Sequence, residues 1–265
     1  MKTEKAITKD LPTEKEQMLS LAMDIGKSMI KCGSEINRVE ETIIRICHAY
    51  GMKQTEVFSI VSMMHVTTID ENGKTLTQSR RVYSYSNNLG KLDRLNALSR
   101  KICDTACDVK TARKELDEIN NEQTNFHVTA MIGSMLAAGG FAVFFGGTLL
   151  DAAASMPIAV VIYLMNTLIK TRGMNKLFYT ALCSAISGTL AFIFVKLGFG
   201  NNHDMIMIGD IMLIIPGLML INSVREMLCG DIMSGLLRML ESIIIAMAIA
   251  CGFAVPILVF GKLGW

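Results

Sequence analysis

Formal charge is scarce in the second half of this 265-residue sequence. Residues 1–127 carry 37 of the 50 Lys, Arg, Asp and Glu residues, and residues 128–265 carry the other 13. Stretches without any formal charge occur at 128–150, 152–169, 177–195 and 242–261. A further apolar segment, Met205–Val224, contains a single charged residue, Asp210. A transmembrane helix needs about 20 mostly apolar residues, so five successive segments qualify, which excludes a wholly soluble enzyme.

The sequence also lacks the charge excess and the cysteine pairs that mark other classes of protein. Its net charge is only +2, whereas a nucleic-acid reader needs a basic surface. Its seven cysteines are scattered, and Cys103 and Cys107, one helical turn apart, lack the tight CxxC pairs of a zinc site. The Ser, Cys and His residues show no spacing typical of nucleophilic catalysis. We therefore expect no nucleic-acid partner, no disulfide framework, no metal, no cofactor and no enzymatic activity.

The N-terminal part has the pattern of a folded domain. The chain begins with charged residues and continues with an amphipathic stretch, so we expect no secretory signal. Thr13 and Glu16 have the spacing of a capping box at the start of a first helix. Gly33 is expected to end this helix, and Ser34 can cap a second helix that stops at Gly51.

A short sheet is predicted next. β-branched and aromatic residues become frequent across 55–85, and Glu71-Asn72-Gly73 has the composition of a hairpin turn, so we expect two or three antiparallel strands. Apolar residues at helical spacing in Leu89–Ile102 and a polar segment at 110–125 predict two further helices. Residues 1–126 are interpreted as an α+β cytoplasmic domain.

Residues 127–265 are interpreted as a membrane domain of about five transmembrane helices. The spans are expected near 128–148, 151–169, 177–196, 205–223 and 237–260. Lys and Arg in short connections favour the cytoplasmic side, and those after the second and fourth spans are Lys170, Arg172, Lys176, Arg225 and Arg238. The opposite side has only Lys196 and Lys262. This asymmetry predicts a cytoplasmic N-terminus and a C-terminus, Trp265, on the far side.

The fourth span contains two features that are unusual inside a membrane. Asp210 is ionisable, and such groups usually face a bundle interior or line a transport path. Pro216 removes an amide donor and Gly217 relaxes the backbone, so the helix is expected to kink or break there. Discontinuous helices often build substrate and ion sites in transporters. A structural kink held by neighbouring helices is the alternative, and the nearby Asp210 favours a functional site.

The start of the fifth span presents a polar face. Ser234, Arg238 and Glu241 recur at helical spacing and place a hydroxyl, a cation and an acid together. This face is compatible with a path for a small charged solute. An Arg238–Glu241 pair that neutralises itself at the interface is an equal alternative.

Three other features are given structural interpretations. Glycines and alanines within 133–147 predict a surface for close helix packing in the first span. Asp151 is expected to be a solvated acid in the hairpin between the first two spans. A stripe on the second helix is expected to be a solvated face; it consists of Arg38, Glu41, Arg45 and His48.

Several stretches of the sequence resemble the threonine/serine exporter family. They are Gly33–Thr42, Asn96–Arg100 and the most specific one, which runs from Pro216 to Glu241 and contains Pro216-Gly217, Asn222, Arg225-Glu226, Gly230-Asp231, Ser234-Gly235, Arg238 and Glu241. The resemblance covers roughly residues 18–254. The sequence departs from the family pattern at Glu226, where aspartate is common, and at Ser59–Met63, which lacks a Pro-Thr pair.

The resemblance implies a subunit of a secondary transporter in the bacterial cytoplasmic (inner) membrane. The chain is similar to the larger, N-terminal subunit of the two-protein form. A second, smaller multi-span subunit would therefore complete the transporter. Assembly into a higher oligomer is a further possibility. The expected substrates are threonine/serine-type amino acids or succinate-type dicarboxylates. The sequence contains both the acid and cation that an amino acid needs and the two cations that a dicarboxylate needs, so both substrate classes are retained.

The resemblance and the residue types together predict a substrate and ion path. Arg225 or Arg238 would bind a carboxylate, and Asn222 and Ser234 would orient it. Asp210 or Glu241 would carry a proton or pair with an ammonium group. The full set is Asp210, Pro216, Gly217, Asn222, Arg225, Glu226, Asp231, Ser234, Arg238 and Glu241. A membrane-anchored enzyme, or a sensor whose activity resides in the N-terminal domain, is the alternative function.

Overall fold

The computed structural model describes residues 13–83, 86–105, 107–122, 127–170 and 175–262. The expectations that concern the first eleven residues, the side chain of Lys170, Arg172 and Trp265 lie outside the described residues. The chain forms two compact units. The first comprises 13–122 with 221–238, and the second comprises 127–220 with 239–262. Residues 221–238, which the sequence pattern places next to the membrane spans, thus pack within the first unit.

The described residues form ten helices and three strands. The helices are α1 (Glu14–Lys31), α2 (Ile36–Ala49), α3 (Leu89–Thr105), α4 (Val109–Asn121), α5 (His127–Phe144), α6 (Leu149–Lys170), α7 (Lys176–Lys196), α8 (His203–Ile214), α9 (Gly217–Leu228) and α10 (Ile232–Lys262). The strands are β1 (Gln54–Ile60), β2 (Met63–Ile69) and β3 (Thr75–Arg81).

The start and end of α1 follow the predicted signals. The capping box is present, and the Thr13 amide donates to Glu16 Oε2 at 3.0 Å. Gly33 follows the helix with a φ of +90°, a conformation that glycine adopts without steric penalty. The prediction for Ser34 is wrong, because Glu35 is the N-cap of α2. The Ser34 hydroxyl donates to the Glu35 carbonyl at 3.4 Å.

The sheet of the first unit is small and wholly antiparallel, in the order β1-β2-β3. The predicted Asn-Gly turn joins β2 and β3, and Gly73 has a φ of +79°. Asp70 closes this turn, because its carboxylate accepts hydrogen bonds from the Asn72 and Lys74 amides. α1 and α2 pack closely in the core, where a Cβ on Gly26 would lie 2.7 Å from Ile43 Cδ1.

The membrane-type helices are close to the predicted ones. Among the described residues, α5, 149–167 within α6, α7 and α10 are long and apolar enough to cross a bilayer. The pair α8 and α9, bent by 54°, adds a fifth crossing if the two form one span. The protein is therefore mostly helical, with several helices suited to a membrane and one small sheet.

Small residues allow close helix contacts in the second unit, as predicted for the first span. A Cβ on Gly139 would lie 2.8 Å from Met156 Cε, and one on Gly209 would lie 2.6 Å from the Ala138 carbonyl oxygen. Gly133 has no such neighbour within 4 Å. Close helix packing thus involves only some of the predicted small residues, such as Gly139 and not Gly133.

Asp151 corrects an expectation from the sequence. It is fully buried rather than solvated. Oδ2 accepts hydrogen bonds from the Thr148 amide and hydroxyl, both at 2.8 Å, and Oδ1 accepts from the Asn201 and Asn202 amides at 2.7 and 2.8 Å. The sequence pattern could not reveal the two asparagine amides, which lie about 50 residues away. Asp151 therefore joins the α5–α6 loop to the α7–α8 loop.

We expect Gly252→Ala to destabilise the protein. The new Cβ would lie 2.3 Å from the Ala181 carbonyl oxygen and 2.6 Å from Ser184 Cβ, so α7 and α10 must move apart. Overpacking of this kind costs roughly 1–3 kcal/mol of unfolding free energy. Thermal unfolding of the purified protein in detergent measures the loss. Gly133→Ala is the matched control, and an equal melting temperature for both variants would contradict the close contact.

Candidate functional site

The predicted break in the fourth apolar segment is present. α8 ends at Ile214 and α9 begins at Gly217. Pro216 has no amide hydrogen and cannot continue the hydrogen-bond pattern of α8. Beyond the break, the Leu220 amide donates to the Pro216 carbonyl at 3.1 Å. The sequence prediction of a kinked or broken helix at Pro216-Gly217 is confirmed.

Asp210 lies one turn before the end of α8 and is fully buried. Its Oδ2 accepts a hydrogen bond from the Ser187 hydroxyl of α7 at 2.9 Å. Its Oδ1 has no hydrogen-bond partner among the residues that the structure describes. A buried polar atom without a partner is unfavourable. Asp210 therefore retains the capacity to bind a proton, a water molecule or a cationic group.

Ser187 belongs to a stripe of buried hydroxyl side chains on α7. The Thr180 hydroxyl donates to the Lys176 carbonyl, and the Ser184 hydroxyl donates to the Thr180 carbonyl. These two hydroxyls thus bond to their own helix, whereas that of Ser187 bonds to Asp210 on a different helix. Ser187 is not among the predicted site residues, although its helical spacing from Thr180 and Ser184 within an apolar span was a usable signal.

A second buried group lies in the first unit. The side chains of Glu226 and Arg238 are 1% and 3% exposed, and Glu226 Oε2 lies 3.3 Å from Arg238 Nε. Glu226 Oε1 accepts a hydrogen bond from the Ile36 amide at 3.2 Å, and Arg238 Nη2 donates to the Ser34 carbonyl at 2.9 Å. The pair therefore holds the α1–α2 turn against α9 and the start of α10.

The same turn makes a third, more exposed contact. Arg225 Nη1 lies 2.7 Å from Glu35 Oε1, and the Arg225 side chain is 57% exposed. The Glu35 side chain is only 19% exposed, so the exposed member of this pair is the arginine. Arg225 is therefore more available to a ligand than Arg238.

Asp231 follows the α9–α10 turn, in which Gly230 has a φ of +100°. The Asp231 amide donates to the Glu226 carbonyl at 2.9 Å. Its charge also acts on Glu40 of α2, which accepts a hydrogen bond from the Ser59 amide at 2.6 Å. Burial raises the pKa of Glu40, the Ser59 hydrogen bond opposes this shift, and the negative charge of Asp231 adds to it.

The predicted site residues are divided between the two units. The first unit contains Asn222, Arg225, Glu226, Asp231, Ser234 and Arg238, and the second contains Asp210, Pro216, Gly217 and Glu241. Ser234 is buried and Asn222 is half-buried. Glu241 accepts a hydrogen bond from Lys176 Nζ at 3.3 Å. Among the described residues, no group of three or more His, Cys, Asp and Glu side chains could hold a metal ion.

Apolar helices, a Pro-Gly break and buried ionisable groups together define a multi-pass membrane protein of the transporter class. Residues 20–259 match the family model described as "Putative threonine/serine exporter". The chain belongs to the threonine/serine exporter family, and it is a transporter component. The resemblance inferred from the sequence is thus confirmed.

Relatives in this family fall into two groups by length. The chain is 23% identical to "Probable succinate transporter subunit YjjP" of Escherichia coli, over 96% of this chain and 100% of that protein. It is 23% identical to "Probable threonine/serine exporter" of Mycobacterium tuberculosis and 20% identical to "Threonine/serine exporter" of Corynebacterium glutamicum, over 94% and 91% of this chain. It spans only 47% and 50% of those two proteins. No solved structure matches the chain.

Proposed function

We propose that this chain is the larger subunit of a two-part secondary exporter that moves succinate-type dicarboxylates out of the cytoplasm. A smaller multi-span membrane subunit completes the transporter. The observation that carries the transport role is the buried Asp210 carboxyl, which lies one turn before the break at Pro216-Gly217 and has an oxygen without a partner among the described residues. The dicarboxylate class is taken from the relative named as a succinate transporter subunit, which the chain covers in full.

The lengths of the relatives support the two-part form. The chain covers the whole of a relative named as a succinate transporter subunit. It covers about half of the relatives named as threonine/serine exporters. We place residues 1–126 in the cytoplasm and the apolar helices of 127–265 in the inner membrane, with the C-terminus on the far side.

Asp210 is assigned the coupling role. A carboxyl group in an apolar helix can take up and release a proton as its surroundings change from dry to wet. Irregular backbone at Pro216 and Gly217 leaves polar groups that are tolerated at membrane depth only next to protein or a wet cavity. The combination of a titratable group and a nearby discontinuity is typical of ion and substrate sites in transporters.

The arginines are assigned different roles. Arg225, whose side chain is 57% exposed, is assigned to bind a substrate carboxylate, and Asn222 is assigned to orient it. Glu241 is assigned separately as a further acid of the path. The guanidinium of Arg238 is held by Glu226 and by the Ser34 carbonyl, so Arg238 is a positioning residue. Ser234, Glu226 and Asp231 belong to the same structural support.

Threonine and serine form the second candidate substrate class. The free acceptor of Asp210 can pair with the ammonium group of an amino acid as well as with a proton, whereas a dicarboxylate offers no cation to it. This observation keeps amino-acid export open as an alternative within the same family.

The experiment measures succinate and threonine efflux from loaded bacterial cells. The cells lack this gene and the gene for a candidate smaller multi-span subunit, and then regain each gene singly or both together. We expect succinate efflux to return only when both genes are present. Restored threonine efflux alone would support the second candidate. No change in either flux would refute the proposed function.

A further inference from the structure

The first unit contains a polar cleft between α2 and α3, whose lining does not include Glu226 or Arg238. Its volume is about 540 Å³, within the range of small-molecule pockets. The lining residues are Arg38, Glu41, Thr42, Arg45, Asn96, Ser99, Arg100, Cys103 and Asp104. The α2 side of this cleft is exposed, as expected for a solvated face, and residues of α3 line the other side.

Two of the three arginines in the cleft are available to a ligand. Arg45 Nη2 and Glu41 Oε1 form an ion pair within α2. Among the described residues, the guanidinium groups of Arg38 and Arg100 have no hydrogen-bond or ion-pair partner. A guanidinium group binds a carboxylate through two parallel hydrogen bonds. The cleft therefore offers two guanidinium groups that can bind carboxylates.

The remaining lining groups favour an anion of small size. The Glu41–Arg45 pair is neutral overall, so the charges left are two guanidinium groups and the single carboxylate of Asp104. The balance is positive. Hydroxyl and amide side chains at Thr42 and Asn96 can donate or accept further hydrogen bonds.

α2 links this cleft to the contacts made by α9 and α10. Arg38 lies only two residues after Ile36, whose amide donates to Glu226 Oε1. The preceding turn holds Arg238 through the Ser34 carbonyl and Arg225 through the Glu35 carboxylate. A ligand that draws Arg38 toward α3 acts on the same helix end that these three residues hold.

We propose that the α2–α3 cleft is a regulatory binding site for a small dicarboxylate, which Arg38 and Arg100 bind and which controls efflux through α2. The control of efflux rests on the proposed function, whereas the binding of a dicarboxylate to the cleft does not. The fraction of clefts with bound dicarboxylate would rise with the dicarboxylate concentration on the side of the membrane that the first unit faces.

The test measures succinate binding to the purified full-length chain in detergent by isothermal titration calorimetry. We expect Arg38→Ala and Arg100→Ala each to weaken binding by about tenfold or more, since each removes charge-assisted hydrogen bonds. Arg81→Ala is the matched control, because Arg81 is also exposed and lies on β3 outside the cleft. Hydrogen–deuterium exchange is expected to show succinate-dependent protection in α2 and α3.

Three outcomes would overturn the inference. One is equal succinate affinity in the Arg38→Ala, Arg100→Ala and Arg81→Ala proteins. Another is protection confined to peptides outside α2 and α3. The third is that the protein binds threonine and not succinate, and that the Asp104→Asn variant no longer binds threonine. This result would assign the cleft to a zwitterionic ligand.

The efflux assay separates this inference from the proposed function. Arg38→Ala is expected to change how the efflux rate depends on internal succinate, while Arg81→Ala leaves this dependence unchanged. Cleft binding without efflux of any substrate would refute the proposed function and leave the binding site intact. Efflux without cleft binding would refute the site alone.

Discussion

Asp210→Asn is expected to abolish substrate efflux while the protein still folds. Asparagine has nearly the same shape and can still accept the hydrogen bond from the Ser187 hydroxyl, but it cannot bind and release a proton or balance a cation. If Asp210 couples transport, efflux of succinate or threonine should fall to the rate of cells that lack the gene. The measurement is efflux from loaded cells that also contain the smaller subunit, with membrane abundance of each variant determined in parallel.

Two variants control this result. Asp204→Asn changes an acid on the same helix whose side chain is 63% exposed, and it is expected to leave efflux unchanged. Ser187→Ala removes the hydrogen bond to Asp210 but keeps the carboxyl group. Its efflux rate is therefore expected to lie below that of the parent protein and above that of cells that lack the gene. Normal efflux by Asp210→Asn at normal abundance would exclude the coupling role and make Asp210 a structural group.

Local signals explain which parts of the fold could be predicted. The capping box at Thr13 and Glu16, the Asn72-Gly73 turn and the break at Pro216 each depend on residues within a few positions of one another. Apolar runs likewise locate the membrane-type helices. The position of such a helix can be predicted without knowing what it packs against.

One error was a shift by one residue, and the other came from partners that are distant in the sequence. The N-cap of α2 is Glu35 and not Ser34, whose hydroxyl donates to the Glu35 carbonyl. Asp151 has the position of a solvated loop acid, yet amides of the α7–α8 loop bury it. No periodicity in a single sequence encodes such contacts, because they arise only when separate elements pack.

The candidate site shows the same division. Asp210 could be identified because an acid in an apolar segment is conspicuous, whereas Ser187 gained meaning only from its contact with Asp210. Arg238 and Glu241 share a helix face by spacing, but the structure gives them Glu226 and Lys176 as described partners. Spacing within one helix therefore indicated which residues were unusual and could not assign their roles.

Arg238→Ala is expected to lower the free energy of unfolding by about 3–5 kcal/mol, the cost of removing one member of a buried ion pair. The truncation leaves the Glu226 carboxylate buried without its cation and removes the donor to the Ser34 carbonyl. Chemical and thermal unfolding of the full chain in detergent measure the effect. Arg225→Ala is the matched control, because the Arg225 side chain is 57% exposed whereas that of Arg238 is 3% exposed, and a clearly smaller loss is expected.

A double variant separates stability from substrate binding. Glu226→Gln combined with Arg238→Met removes both charges, keeps an acceptor for the Ile36 amide and retains much of the side-chain volume, so it should recover much of the lost stability. If Arg238 is a positioning residue, the double variant should also recover efflux in proportion to its stability. An Arg238→Ala protein that is as stable as the parent but transports nothing would show that Arg238 binds the substrate directly.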